Sequence, residues 1–375
     1  MAIAALIQSA FFLFVGVFGV GFLIGFHEFG HFIFAKLLKI KAPSFSIGMG
    51  PSIIKKKIGH TTFQLSALPL GGYVEIVDAL DPDEKDPEQI AKMQIPGKFF
   101  SETPYWQKLI VMLGGITFNF LLGFVIFSFL FTVGMPKSQL INPAYKQETI
   151  IAGFTPGSVG LKAGLQVQDK IIAGNGSTKF TNASEVIAFL RSNAGKQVHL
   201  TIEQANKQRV VPVQLNPQGQ IGVLFKTEIM PSLGLFESIK MGFSETISCF
   251  WNVVASFKSI ITRQAKGDLA GPIMIVAQIV MGARLGYRIF FLLLAFLSIN
   301  LAFLNMIPVP ITDGGQILFN TIEAIIRRPL SEKIRIAIHY VSWISVLALF
   351  IVLSLKDILS LIGINIHSIL AMFTS

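Results

Sequence analysis

Four stretches of this chain are long enough to cross a bilayer and contain no Lys, Arg, Asp or Glu: Met1 to Phe26, Leu109 to Pro136, Ile289 to Thr312 and Ile336 to Leu355. A hydrocarbon core about 30 Å thick needs about 20 helical residues, and a backbone in lipid must satisfy its own polar groups. Each stretch is therefore expected to be a membrane-spanning helix. Composition agrees: 14% of the residues are charged, against about 25% in soluble domains. The first stretch has no basic start and runs into His27 and Glu28 without a small-residue cleavage site, so it reads as a retained span rather than a signal peptide. The net charge of +10 would suggest nucleic acid in a soluble protein; here it reads as cytoplasmic loops, with no nucleic-acid partner. A single cysteine, Cys249, excludes an intrachain disulfide or a cysteine-cluster metal site.

Basic residues in short loops orient the spans. Lys36, Lys39, Lys41, Lys55, Lys56 and Lys57 follow the first span with no acidic residue before Glu75, and Arg327, Arg328, Lys333 and Arg335 precede the fourth. Residues 27–106 and 313–335 are thus expected inside, and 137–285 outside. In the first inside loop, Ser44 to Pro51 and Thr61 to Val74 are rich in glycine, β-branched and aromatic residues, which predicts short strands at the membrane surface. Asp78 to Glu88, acidic with two prolines, predicts a solvated loop.

The outside segment carries one small α+β domain, about residues 148–217. Strand-like runs at Thr149–Phe154, Lys170–Ala173, Val198–Glu203 and Val210–Leu215 surround a helical stretch, Ser184–Asn193, capped from Thr181 to Ser184. Residues 232–284 set Phe, Ile and Val at helical spacing with Lys240, Lys258, Arg263 and Lys266 between them, and predict amphipathic helices along the membrane or on the bundle. The remaining divisions are residues 1–136, with the first two spans and the β loop, and 285–375, with the last two. Ile358 to Phe373 is too short to span and predicts an interfacial helix.

Chemistry concentrates at the end of the first span, in His27-Glu28-Phe29-Gly30-His31. On a helix, positions i and i+4 leave one face, so both imidazoles can grip one zinc ion while the glutamate between them activates water. With 6 His and 13 Glu in 375 residues, about 0.003 accidental matches are expected. A plain hydrogen-bonded histidine pair must still account for a glutamate at the edge of an apolar span, where ionisable groups are costly. A catalytic zinc site needs a third protein ligand and an open position. His60, His199, His339 and His367 are scattered, whereas Asp313 closes the stretch Asn305-Met306-Ile307-Pro308-Val309-Pro310-Ile311-Thr312-Asp313-Gly314-Gly315 at the inside end of the third span. Its two prolines must break the helix, which is tolerated at membrane depth only in a protein-lined cavity.

These motifs resemble the site-2 proteases, intramembrane zinc metalloproteases, and specifically the RseP and RasP type with a PDZ domain; the resemblance covers nearly the whole chain. It implies that His27, His31 and Asp313 hold zinc, that Glu28 is the general base, and that Asn305 with the Pro308 and Pro310 segment binds unwound substrate. It also implies that Phe45 to Pro51 and Leu68 to Val74, with Gly71, Gly72 and Tyr73, form a membrane-associated β segment that holds substrate extended. Gly115 and Asn119 in GGITFNF, and Gly271-Pro272, look like further signatures, and Gly153 to Gly176 resembles a PDZ core. The family usually has Leu where Thr312 stands and Pro where Ile116 stands, and the common RseP arrangement has two PDZ domains where this chain has room for one. The fold expected is a polytopic α-helical membrane protein with a β segment and one α+β PDZ domain. The function expected is hydrolysis within the membrane of single-span proteins already trimmed by another protease, such as anti-sigma factor fragments or signal-peptide remnants, in a bacterial inner membrane. A non-catalytic membrane PDZ adaptor would explain the spans and the module but not Glu28 or Asp313; a metal transporter would be expected to show inverted repeats, and none is found.

Overall fold

The structure, a computed structural model of the chain, describes residues 2–77, 90, 92–138, 142, 145–155, 157–205, 207–262, 271–328 and 330–361. The acidic stretch 78–88 and most of 358–373 lie outside them. Two units form: residues 1–132 with 234–358, and residues 133–233.

In the first unit, α1 (Ala2–Leu37) carries the first span past the motif histidines without a break. Lys39, in the left-handed region with φ 57°, ends it, and the Ile40 N–H returns to the Ala35 carbonyl at 2.8 Å. The strands expected to be short are longer: β1 (Ser44–Ile58) and β2 (Thr61–Glu75) have 15 residues each. They fold back on themselves, so that residues 44–47 pair with 72–75 on one side and with 62–65 on the other, and 62–65 also pair with 54–57. Gly48 makes one bend possible: its φ is +86°, and a Cβ there would lie 3.1 Å from the Ser66 carbonyl, conditions that select glycine. Phe29 and Phe32 of α1 meet Phe45 and Phe63 at ring separations of 5.4–5.9 Å, seating the sheet on the helix.

The second span is α2 (Tyr105–Val133). It crosses α1 at Gly30 and Gly114, where a Cβ on Gly114 would stand 2.7 Å from the Gly30 carbonyl; small residues let the two backbones touch. Within the second unit's stretch of sequence come β3 to β8 and helices α3 and α4, described below. Beyond it, α5 (Leu235–Ile261) buries Ser238, Gly242, Thr246, Cys249 and Val253, a stripe at helical spacing. Phe250 packs 5.1 Å from Phe120 and 6.1 Å from Phe303, so this helix lies on the bundle. Then follow α6 (Pro272–Leu285), α7 (Tyr287–Met306), α8 (Asp313–Ile326) and α9 (Glu332–Leu361). The last runs through residue 358 unbroken because Asp357 is buried and bonded, its carboxylate accepting from the Gly271 N–H at 3.1 Å and the Met274 N–H at 2.8 Å. Among the described residues, four helices are long and apolar enough to cross a membrane: α1, α2, α7 and α9. This is a multi-pass membrane protein.

The second unit is built on an antiparallel sheet of order β5 (Thr178–Lys179), β4 (Lys170–Gly174), β6 (Gln197–Gln204), β7 (Lys207–Gln214). A separate pair joins β3 (Ile151–Phe154) to β8 (Val223–Phe225), a strand lying beyond the stretch that ends at 217. Short α3 (Val159–Lys162) and α4 (Ala183–Ser192) complete it. Val198, Leu200 and Ile202 alternate into a core with Ile171, Val186 and Leu190, each such side chain contributing about 1.5–3 kcal/mol of burial. Asn182 is the α4 cap, accepting from the Glu185 N–H at 3.0 Å.

Candidate metal centre

Two helices and one loop bring the site together. His27 and His31 are nearly buried, at 6% and 7% exposure. Their rings lie 4.8 Å apart and almost perpendicular, and the Nε2 atoms face each other at 3.2 Å. Asp313 completes a triangle, with Oδ2 3.2 Å from His27 Nε2 and Oδ1 3.3 Å from His31 Nε2. A tetrahedral zinc with bonds of about 2.0–2.1 Å places its ligand atoms about 3.3 Å apart, the spacing found here. Asp313 Oδ2 is buried and accepts no hydrogen bond, an orphan oxygen that a cation would satisfy. The donor set fits zinc, and among the described residues no other group of three His, Cys, Asp or Glu side chains converges this way.

For both Nε2 atoms to present lone pairs, each Nδ1 must carry the proton. His31 Nδ1 donates to the Val111 carbonyl at 2.8 Å. His27 Nδ1 lies 2.9 Å from the buried Asn119 carboxamide, at Nδ2; a half-turn of the amide, which exchanges its oxygen and nitrogen, makes Asn119 the acceptor that chemistry requires. Ser298 of α7 donates to the Asn119 carbonyl at 2.8 Å and ties α2 in place. Between the two supports stands Gly115, whose Cβ would lie 2.5 Å from His31 Nε2 and 2.7 Å from His27 Nδ1. Residues 111, 115 and 119 thus form one i, i+4, i+8 stripe of α2 facing the i, i+4 histidines of α1. The sequence singled out Gly115 and Asn119 without a role and gave no sign of Val111, which contributes a backbone carbonyl.

Asp313 is delivered by the turn between α7 and α8. Met306 is the last residue of α7, and Ile307 is extended, as the residue before a proline must be. Pro308 and Pro310 carry the chain across. Thr312 caps α8, its single hydroxyl proton shared between the Ile307 and Val309 carbonyls at 2.7 and 2.8 Å while its oxygen accepts from the Gly315 N–H at 3.4 Å. A leucine there would make none of these bonds. A Cβ on Gly315 would come within 2.7 Å of Pro310 Cα, so the turn closes only over glycine.

Glu28 points from the same helix toward the sheet: its Cγ would lie 3.5 Å from a Cβ on Gly72, and the Val74 N–H faces its carboxylate. Asn305 Nδ2 is 3.4 Å from His27 Nε2, so Asn305 stands on the rim of the ligand cluster. Tyr73 is partly exposed and bonded to Gln64, and Gly71 bends β2 at φ +94° beside Met49; neither contacts the ligand triangle.

Residues 15–349 match the family model for peptidase family M50. A Clostridium perfringens protein named as a zinc metalloprotease is 31% identical over 343 residues, 90% of this chain and 95% of its own. Another so named, from Mesorhizobium japonicum, is 30% identical over 82% of this chain and 87% of its own length. A third, from Campylobacter jejuni, is 28% identical over 92% of both.

Proposed function

We propose, since this chain belongs to peptidase family M50 and is a zinc metalloprotease of the site-2 type, that it hydrolyses a peptide bond within or near the transmembrane segment of single-span membrane proteins. One observation carries this reading: His27, Glu28 and His31 all lie inside the apolar helix Leu6–Leu37, which is long enough to span a bilayer. A bond cut there has to reach membrane depth.

His27, His31 and Asp313 would hold the zinc, which when bound supplies a Lewis acid that polarises a carbonyl and acidifies water. Glu28 takes the proton of the attacking water and returns it to the leaving amine. A helical peptide bond is shielded by its own hydrogen bonds, so substrate must be extended first. Residues 72–75, which among the described residues pair on one side only and run past Glu28, offer an edge along which such a segment can align. Asn305, Pro308 and Pro310 would receive its backbone from the other side. We assign the second unit to the PDZ class, placed outside a bacterial inner membrane, where it admits substrates already trimmed by another protease.

The test is Glu28→Gln in lipid nanodiscs with a single-span substrate. The variant should keep one zinc per chain and lose turnover by at least about 100-fold. Cleavage near the wild-type rate would remove Glu28 as the base, and hydrolysis confined to soluble peptides would remove the intramembrane assignment.

A further inference from the structure

Apart from the metal centre, a cavity of about 500 Å³ opens where the start of α2, the outer turns of α8 and the start of α9 meet. Its walls carry four cations, Lys108, Arg327, Arg328 and Arg335, and a single acid, Glu323. That acid is already engaged: Glu323 Oε1 pairs with Arg335 and accepts from the Leu330 N–H at 3.0 Å. Among the described residues, no carboxylate pairs with Lys108, Arg327 or Arg328. Three like charges around one cavity repel one another unless an anion joins them. Loop cations alone would not define a site, since basic loops are general in membrane proteins. What sets these apart is a shared concave wall, to which the buried Phe319 and the partly buried Asn320 contribute.

Two further features bear on what binds. Arg327 sits in the left-handed region, φ 58° and ψ 26°, as the C-cap of α8, a position where glycine is the unstrained choice. A guanidinium is kept there against the backbone's preference. The cavity also lies at the polar end of two spans: those of α2 and α9 begin at Tyr105 and Lys333, and Tyr105 and Trp106 are exposed aromatics at the same level, the residues that mark a lipid–water interface. Guanidinium groups match phosphate geometry, and basic pockets between membrane helices suit anionic headgroups.

We propose that this cavity is a binding site for a phosphate-bearing anion, supplied by the headgroup of an anionic phospholipid. The site shares α8 with the metal centre: Asp313 opens the helix, and Gln316, Phe319, Asn320 and Glu323 along its next turns form the cavity wall. A bound headgroup therefore braces the helix that presents the third zinc ligand.

The experiment uses the full chain in phosphatidylcholine nanodiscs, titrated with phosphatidylglycerol in one arm and with soluble glycerol phosphate in the other, and bound lipid or anion is counted by native mass spectrometry. The wild type should retain about one phosphatidylglycerol per chain. Arg327→Gly with Arg328→Gln removes two cations while relieving the backbone at 327, so its loss of binding, expected to be at least 10-fold, would not reflect misfolding. Lys55→Gln, Lys56→Gln and Lys57→Gln together remove more charge from the exposed hairpin and should leave retention unchanged. Equal losses in the two variants would mean diffuse attraction and overturn the site, as would no retention by the wild type. Glycerol phosphate saturating at the same concentration, with the same dependence on Arg327 and Arg328, would support the anion site but overturn its assignment to lipid.

Discussion

Adding one methyl group at Gly115 should disable the metal centre more than any comparable change in the bundle. The alanine Cβ would stand 2.5 Å from His31 Nε2, where ordinary contact begins near 3.4 Å, so the ring must retreat by about 0.9 Å. Zinc sites tolerate about 0.2 Å in a ligand distance. The rings have nowhere to go: His31 is pinned to the Val111 carbonyl and His27 to Asn119, while α1 and α2 already touch at Gly30 and Gly114. Overpacking of this kind costs about 1–3 kcal/mol, and loss of a ligand's outer hydrogen bond typically costs about 10–100-fold in metal affinity. Gly115→Ala should therefore bind zinc at least about 10-fold more weakly in chelator competition, with cleavage lost in parallel. Gly123→Ala is the control, because its Cβ would meet the flexible end of Ile299, Cδ1 at 2.6 Å, and a rotamer change can clear it. Gly115→Ala with zinc affinity within about threefold of wild type, or Gly123→Ala with an equal loss, would refute the argument.

Asn119→Leu should weaken zinc binding by about 10–100-fold and Asn119→Asp by much less, since only the second keeps an oxygen for His27 Nδ1–H; equal losses in chelator competition would mean that Asn119 merely packs. Replacing Asp357 with Leu leaves the buried Gly271 N–H and the partly buried Met274 N–H without their acceptor, at about 1–3 kcal/mol for the buried one and less for the other. Hydrogen exchange at residues 271–275 should rise at least about 10-fold, and unchanged protection would show that the cap is dispensable. The proposed orientation predicts that Lys179→Cys reacts with an impermeant maleimide applied outside intact cells, Cys249 staying silent at 2% exposure; labelling only after permeabilisation would reverse the threading.

What the sequence determined by itself rests on local periodicity and on the physics of lipid. Uncharged runs such as Leu109–Pro136 have to span, because water is absent there and a helix satisfies its own backbone. His27 and His31 share a helix face whatever the rest of the chain does, because 3.6 residues make a turn, and Pro308 and Pro310 break α7 through their own ring geometry. Tertiary structure alone decided which surface meets that face. Nothing local says that the stripe Val111, Gly115, Asn119 of α2 lies opposite the histidines, rather than another stripe of an equally apolar helix; the choice belongs to the close crossing at Gly30 and Gly114. The Val111 acceptor is a backbone carbonyl, which every residue possesses, so no residue type could announce it. The strand lengths of β1 and β2, and the pairing of β3 with a strand some 70 residues later in the chain, likewise follow from partners distant in sequence, and a strand's end is set by where its partner stops offering hydrogen bonds.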